Sequence, residues 1–538
     1  MIDIPNQNLI EMFRNVVAEH HDQTATFFKG KIKTYADIEK EVNKLANGLK
    51  KLGVKKGDRV AVYLPNTPQF LVTFFATQSL GAIFTAFNPL YSPREIKERL
   101  NDAQPKVFVT LDVFLDKVHK IKDEIDVDHI IVTSVSRELP SVKKYLYKLI
   151  TFRKIQSLPS ALSYSEIVSS GENTPIHTEI DSEKDVAVLQ YTGGTTGTSK
   201  GAMLTHKNLI SQTVVLQYWK NKLKEQPKGQ IRIAGVLPYA HIFGLTSSFL
   251  WPVSEGAAIY LVPDPRQLEE VMKLIHHHRM HFLYCVPVFF QKFASHKNVN
   301  KYDLSSILLS ISGGESLPRK TVELFESKTG SLLIEGYGLT EASPVTHVNL
   351  PTKEGRKIGS IGVTVPNTEA KIVNPETDRE ITTPGVPGEL WVKGPSVMKG
   401  YWRRTEETEN TIKDGWLRTG DIASVSPEGF YKILDRLKDM IIVSGFKVWP
   451  NEVEDILLTH PAILEAAVIG HKTELGTKLK AVLVQKPDKK KLTLEEIRSF
   501  CKQNLAAYKV PKFIEYRDEL PRSSVGKVLR RELRGNAT

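Results

Sequence analysis

Eleven consecutive residues bring together the groups that grip phosphate: Tyr191-Thr192-Gly193-Gly194-Thr195-Thr196-Gly197-Thr198-Ser199-Lys200-Gly201. The glycines allow positive φ and close backbone approach. Hydroxyls and free N–H groups donate to phosphate oxygens, and the lysine adds a charge. The run predicts a polyphosphate cradle, and hence a chain that binds ATP. It does not follow the G-x-x-x-x-G-K-[ST] pattern, because Thr198 and Ser199 break the glycine spacing ahead of Lys200 and Gly201 follows it. The plainer alternative is a Gly/Thr-rich surface loop, but such loops rarely follow an apolar strand and end in Lys-Gly.

Further clusters able to do chemistry lie far along the chain. Pro238-Tyr239-Ala240-His241-Ile242-Phe243-Gly244 sets a histidine among apolar residues, and Ser312-Gly313-Gly314-Glu315 follows the apolar run Ile307–Ile311. Gly336-Tyr337-Gly338-Leu339-Thr340-Glu341 combines bare backbone, an aromatic face, a hydroxyl and a carboxylate. Trp416-Leu417-Arg418-Thr419-Gly420-Asp421 ends in a carboxylate suited to a ribose diol. Asp435-Arg436-Leu437-Lys438-Asp439, then Ser444-Gly445-Phe446-Lys447, then Pro521-Arg522-Ser523-Ser524-Val525-Gly526-Lys527 complete the set.

Each has a plainer alternative. Glu341 reads equally as a helix-start carboxylate, Asp421 as a turn residue after glycine, Lys527 as an exposed lysine and His241 as a core histidine. Gly313, Gly314 and Gly338 either leave room for a substrate chain or make tight turns. His276-His277-His278, His281 and Cys285 invite a zinc reading, since His277 and His281 are four apart. However, Phe282–Val286 reads as a strand and breaks the helical register that zinc would need.

The elements that must position these groups follow an α/β rhythm. Arg59–Leu64 reads as a strand, Phe70–Leu80 as a buried helix and Ala82–Asn88 as a strand. Glu95–Asn101 reads as a helix after the Ser92-Pro93 start signal, and Val107–Thr110 as a strand. That alternation predicts parallel or mixed sheets. Residues 113–180 are charge-rich and less regular, and read as a peripheral excursion. A second rhythm runs from Val186 to Gly336. Beyond Gly388 the texture turns strand-rich, with Glu389–Val392 and Phe430–Leu434. From Arg436 a separate alternation sets in: strand Ile441–Ser444, a helix near Asn451–Leu458, strands Ala466–Gly470 and Leu479–Gln485, and a helix Leu494–Asn504. Domains over 1–435 and 436–538 are expected, the second a small α+β unit carrying roughly half of the net charge.

A chain of 538 residues is too long for one core. Two cysteines, Cys285 and Cys501, rule out a disulfide framework and suit a reducing compartment. Met1-Ile2-Asp3-Ile4-Pro5 has no secretory character. The most apolar stretches are broken by Pro65, Pro68, Gln69, Pro238, His241 and Pro252, so no spanning helix is expected. The predicted location is cytoplasmic. The net charge of +12 suits anionic partners, but lysines and acids are scattered and no nucleic-acid motif accompanies them, so nucleic acid is not an expected partner.

In order and across nearly the whole chain, the clusters resemble those of the adenylate-forming superfamily: acyl-CoA synthetases, peptide-synthetase adenylation domains and luciferase-like enzymes. Asn88-Pro89-Leu90-Tyr91-Ser92-Pro93-Arg94-Glu95, Glu335 through Glu341 and Asp435-Arg436-Leu437-Lys438-Asp439-Met440-Ile441 are most similar to fatty-acid–CoA ligases. Ser199 stands where many relatives carry proline, and Asp435 where many carry glycine.

The resemblance implies a fold and a reaction. The fold is α/β, a large multi-sheet N-terminal domain with a small mobile α+β C-terminal domain. The reaction joins a medium- to long-chain fatty acid to CoA through an acyl-adenylate, at the expense of ATP and with Mg²⁺. It assigns Lys527, Glu341 and His241 to catalysis. Thr192 and Glu341 would hold the metal. Gly193, Gly194, Thr195, Thr196, Gly197, Thr198, Ser199 and Lys200 would steady phosphates, Tyr337 would stack on adenine beside Gly336, Gly338 and Thr340, and Gly314 and Glu315 would line the same site. Asp421 would accept from the ribose with Arg436 nearby, Lys438 would be a hinge, and Ser444 and Gly445 would belong to the moving lid. An aryl or short hydroxy acid as substrate, or a carrier protein in place of CoA, stays open. The oligomeric state stays open too, a homodimer included.

One segment falls outside this scheme. Lys143-Lys144-Tyr145-Leu146-Tyr147-Lys148-Leu149-Ile150-Thr151-Phe152-Arg153-Lys154 sets five basic residues among aromatics and aliphatics. On a helix, Tyr145, Leu149 and Phe152 share a stripe with basic residues on its flanks, the composition of an interfacial helix on anionic membrane. An ordinary peripheral helix with solvated lysines is the alternative.

Overall fold

The computed structural model describes residues 1–151, 158–192, 199–443, 446–473, 476–522 and 528–534. Two compact units emerge: Met1–Glu369 with Lys393–Gly415, and Ala370–Val392 with Trp416–Thr538.

The first unit is built on two large mixed sheets. In one, Val186–Tyr191, Ile83–Ala86, Arg59–Tyr63, Val107–Leu111, His129–Thr133 and Leu162–Ser163 run parallel in that order. Gly201–Thr205 and then Gly400–Tyr401 add antiparallel to its other edge. In the other, Leu332–Gly338, Leu309–Ser312, Phe282–Cys285, Arg232–Gly235, Ala258–Leu261 and Thr24–Phe28 are parallel. Antiparallel strands close both edges of that sheet.

The helix Pro68–Ser79 is buried along its entire length, and its polar Thr73, Thr77, Gln78 and Ser79 donate to main-chain carbonyls. Its rings pack edge-on against Phe84 and Phe249, and Phe75 stacks on Phe13 at 4.2 Å. The helix Pro93–Ala103 starts where Ser92 and Glu95 predict, in a reciprocal capping box. Residues 113–180 differ from the expected excursion. His129–Thr133 and Leu162–Ser163 extend the first sheet, and Tyr164–Ser170 packs on the helix Tyr35–Lys51. The strand is short and lies between charge-rich turns, so alternation alone did not separate it from loop.

In the second unit, Gly388–Lys393, Trp416–Val425 and Tyr431–Arg436 pair antiparallel, and Glu369–Val373 lies beside Gly388–Lys393 in the same layer. Past it, the helices Pro450–Thr459 and Leu494–Lys502 cover a sheet of Ile463–Thr473, Gly476–Gln485 and Phe513–Tyr516. Val448, Val453, Leu457, Val468, Leu483, Ile497 and Cys501 fill the core between them. This is the expected mixed α/β architecture with a smaller C-terminal unit of sheet and helix. The expected division at 435/436 falls inside the strand Tyr431–Arg436, and the compact second unit takes in the antiparallel layer as well. Among the described residues no helix is long and apolar enough to cross a membrane.

Candidate active site

The glycine-rich run joins two antiparallel strands, Val186–Tyr191 and Gly201–Thr205, with Tyr191 opposite Gly201. The Thr192 N–H donates to the Lys200 carbonyl at 2.9 Å and the Ser199 hydroxyl to the Thr192 carbonyl at 2.6 Å, so the two ends of the run are pinned together. Gly193, Gly194, Thr195, Thr196, Gly197 and Thr198 lie outside the described residues, as do Ser444, Gly445 and Lys527. The base of the strand pair is tied down in turn. Tyr191 Oη donates to Asp102 Oδ2 at 2.6 Å, and Arg404 Nη2 reaches Asp102 Oδ1 at 3.2 Å.

Lys200 extends to the face of Tyr401, its Nζ 5.2 Å from the ring centroid. Tyr401 stands opposite Ala202 across the strand pair, and the Trp402 N–H donates to the Gly201 carbonyl at 2.8 Å. The Tyr401 hydroxyl donates to Glu341 Oε1 at 2.7 Å. Glu341 lies in a single turn, Thr340–Ala342, directly after the strand Leu332–Gly338, and its carbonyl accepts from the Met398 N–H at 2.8 Å. Thus Lys200 and Glu341, distant in sequence, converge on one aromatic ring. Burial and the neighbouring Glu341 carboxylate push the Tyr401 phenol well above its ordinary pKa, so it remains a donor.

Tyr337 lies on the same strand, half-buried, with its ring 5.9 Å from that of His347. Burial drives the pKa of His347 down to about 3. The glycines divide by cause. A Cβ at Gly338 would run into the Pro344 carbonyl, so the chain's own return demands a bare backbone there. Gly314 has φ +90°, and a Cβ there would meet only Val286 Cγ1 in ordinary contact at 3.7 Å, so its backbone conformation rather than crowding calls for glycine. At Gly313 a Cβ would stand 3.1 Å from the Phe243 ring and 3.3 Å from the Gly336 carbonyl, so this glycine lets the ring lie against the backbone. Glu315 follows, partly exposed. Gly313, Gly314, Tyr337 and Gly338 sit at the carboxyl ends of the parallel strands Leu309–Ser312 and Leu332–Gly338, where open α/β sheets bind ligands.

His241 is half-buried and caps the short helix Ile242–Leu245, its Nδ1 accepting from the Phe243 N–H at 3.3 Å. A neutral ring accepting at Nδ1 carries its proton on Nε2. The helix passes into a π-helical turn, Thr246–Leu250, a distortion frequent near functional sites. His281 accepts at Nδ1 from the Arg232 N–H at 3.2 Å, and burial with two neighbouring arginines depresses its pKa to about 4.

In the second unit, Asp421 and Arg436 face each other across an antiparallel pair, and Arg436 Nε lies 2.6 Å from Asp421 Oδ1. Gly420 before it has φ +70° and donates its N–H to Glu389 Oε1. Lys438 occupies the turn Leu437–Asp439 that follows. Asp435 is buried, and its carboxylate accepts from the Arg436 and Asn451 N–H groups. The described residues before and after 523–527 are held by ion pairs. Arg522 Nη2 reaches Glu465 Oε2 at 2.8 Å, and Arg530 Nη2 reaches Glu454 Oε2 at 2.7 Å and Asn451 Oδ1 at 2.6 Å.

Tyr401, Asp102, Arg404 and Glu454 did not stand out in the sequence. The signal available for Tyr401 is Gly400-Tyr401-Trp402, an aromatic pair after a glycine, which carries no spacing relation to Glu341.

Known proteins match this chain along almost its entire length. The family model for AMP-binding enzymes matches residues 13–402, and that for the AMP-binding enzyme C-terminal domain matches 452–527. A long-chain-fatty-acid–CoA ligase of Bacillus subtilis is 41% identical over 539 residues, covering 99% of this chain and 95% of its own. One from Escherichia coli O6:H1 is 40% identical, with the same shares covered. Among solved structures, an anthranilate–CoA ligase in complex with anthranoyl-AMP superposes with a TM-score of 0.86 at 27% identity, covering 100% of this chain and 98% of that one. MatB from Rhodopseudomonas palustris with ATP bound also gives 0.86 at 27% identity, covering 98% of each chain. The chain belongs to the AMP-binding enzyme family, within the adenylate-forming superfamily and beside its long-chain-fatty-acid–CoA ligases.

Proposed function

We propose that this protein is an AMP-forming fatty-acid–CoA ligase acting on medium- to long-chain acids. The observation that carries the mechanism is the convergence of Lys200 and Glu341 on Tyr401 beside the pinned ends of the glycine-rich run. The nature of the acid rests on the long-chain-fatty-acid–CoA ligases that match along almost the entire chain.

In the first half-reaction a carboxylate oxygen bonds to the α-phosphorus of ATP, and the bond to the pyrophosphate oxygen breaks. In the second, a thiol sulfur bonds to the acyl carbon and AMP leaves. The first step brings like charges together; at about 4 Å and an effective dielectric near 20, two unit charges repel by about 4 kcal/mol. Lys527 is assigned to the substrate carboxylate and α-phosphate, and Lys200 to the outer phosphates. Mg²⁺, when bound, supplies further neutralisation of phosphate charge. Glu341 suits such a hard cation, since its Oε2 carries no hydrogen bond among the described residues, and Thr192 offers a second oxygen at the mouth of the run. Tyr337 offers a ring for adenine, and Asp421 with Arg436 a charged pair for the ribose. His241, its proton fixed on Nε2, is assigned to the entry of acyl group and thiol. Lys438 is the proposed pivot of a C-terminal lid over 436–538, which rotates between the half-reactions.

A second reading, an aryl acid as substrate, draws support from the likeness to the anthranilate–CoA ligase. AMP release measured across fatty acids of increasing length, beside benzoate and anthranilate, separates the two. Rates that rise with chain length support the fatty-acid reading, and turnover of aryl acids alone overturns it. Replacing CoA by a phosphopantetheinylated carrier protein tests the acceptor. Peripheral contact with anionic membrane through the helix Ser141–Thr151 is a separate proposal, supported by Val142 and Tyr145, which stand 74% and 66% exposed.

A further inference from the structure

We propose that Tyr401 is a positioning residue that aims Glu341 at the metal and holds Lys200 toward the phosphates, so that both move as one body. The inference rests on the reading of Glu341 as a metal ligand and adds a residue that reading does not contain. Tyr401 is itself firmly held. Its N–H donates to Thr408 Oγ1 at 2.9 Å, its backbone pairs with Ala202, and the residue is 8% exposed.

From that fixed ring two opposite demands are met. The hydroxyl donates to Glu341 Oε1 at 2.7 Å, which commits one carboxylate oxygen and fixes the rotation of the group. The other oxygen, Oε2, carries no hydrogen bond among the described residues and remains for a cation. The ring face takes the Lys200 ammonium at 5.2 Å, a cation–π contact. Without the ring, Lys200 and Glu341 would lose their common support. The arrangement follows a general pattern in which an outer hydrogen-bond partner orients a metal ligand, and its loss costs about tenfold to a hundredfold in metal affinity. The backbone reinforces it, because the Met398 N–H holds the Glu341 carbonyl and the Lys399 N–H holds the Met203 carbonyl, just beyond Lys200.

The test separates hydroxyl from ring. Mn²⁺ binding is followed by the paramagnetic resonance of free Mn²⁺, in the presence of a non-hydrolysable ATP analogue. Nucleotide binding without metal is measured by fluorescence in excess EDTA. Tyr401→Phe should raise the Mn²⁺ concentration for half-saturation about tenfold, while leaving metal-free nucleotide affinity and thermal midpoint unchanged. Tyr401→Leu should weaken metal-free nucleotide binding as well, because Lys200 loses its ring. A Tyr401→Phe protein that binds Mn²⁺ like wild type overturns the inference, as does one that loses metal and metal-free nucleotide in equal measure. Glu341→Gln distinguishes the two levels. If it abolishes Mn²⁺ binding while Tyr401→Phe binds Mn²⁺ like wild type, only the role of Tyr401 fails. If Glu341→Gln also binds Mn²⁺ normally, the reading of Glu341 as a metal ligand fails with it.

Discussion

Arg436 stands directly across an antiparallel pair from Asp421 and holds its carboxylate at 2.6 Å. Asp421 is nearly buried, its side chain 4% exposed, while that of Arg436 is 40% exposed. The Asp421 N–H is fixed by Thr419 Oγ1, whose own hydroxyl donates to the Leu390 carbonyl. The carboxylate is therefore aimed by a strand partner and a local hydroxyl, a rigid setting for gripping a diol. Asp421→Asn should raise the KM for ATP by about tenfold or more, since hydrogen bonds to a charged acceptor contribute about 1.5–3 kcal/mol. Initial rates of pyrophosphate release against ATP concentration check this, and an unchanged KM would remove Asp421 from the nucleotide site.

The two half-reactions predict opposite defects at two lysines. Lys527→Ala should slow adenylation by about 10²–10³, the usual cost of losing one charge-stabilising contact in the transition state. Thioester formation from added acyl-adenylate should remain. Lys438→Pro should do the reverse, because proline restricts φ at the proposed pivot: acyl-adenylate accumulates and transfer to CoA fails. Single-turnover measurements of each step decide. Equal losses in both steps for Lys527→Ala, or normal transfer by Lys438→Pro, would contradict the assignments.

Two buried histidines predict loss of stability in acid. Burial lowers the pKa of His206 to about 4 and that of His347 to about 3. Each is depressed below its ordinary value near 6.5, so the folded state binds fewer protons than the unfolded chain. The stability they contribute is complete above about pH 6.5 and is lost as pH falls toward the folded-state values. Between pH 6.5 and 5 each should cost about 2 kcal/mol. His206 Nδ1 accepts from the Leu9 N–H at the start of the helix Leu9–His20, so glutamine keeps an acceptor there without a titrating ring. Denaturant midpoints across this range should fall more gently for His206→Gln than for wild type. Parallel curves for the two proteins would show that His206 is not the titrating group.

Much of this arrangement could be read from local pattern. The buried, phenylalanine-rich helix Pro68–Ser79, the capping box of Ser92 and Glu95 and the glycine-rich run each carry their signal within about a turn or a loop. What stayed hidden depends on residues distant in sequence. Tyr401 meets Glu341 only because Gly400–Tyr401 pairs with Gly201–Thr205, and no spacing rule links those segments. Gly338 read equally as room for substrate or as a turn, and the return of the chain at Pro344 decides it. His241 read as a core residue or a site residue, and the structure places it half-buried as the cap of the short helix Ile242–Leu245.

The last prediction concerns the helix Ser141–Thr151. Val142 and Tyr145, one turn apart, are 74% and 66% exposed beside Lys143 and Lys144. Lys143 Nζ donates to the Lys29 carbonyl at 2.8 Å, so this end of the helix is held to the turn between Thr24–Phe28 and Lys31–Thr34. Lys144 points its charge to solvent, and Lys148 follows on the same helix. Phe152, Arg153 and Lys154 lie outside the described residues. A basic residue near an anionic bilayer contributes about 1 kcal/mol, and an apolar stripe adds burial in the interface. Reversing Lys143, Lys144 and Lys148 to glutamate should therefore release the protein from phosphatidylserine-rich liposomes in a flotation assay at low salt. Turnover of soluble short-chain acyl substrates should be unaffected. Binding that survives the reversal would assign the contact to another surface. Wild-type protein that stays unbound at low salt would end the idea.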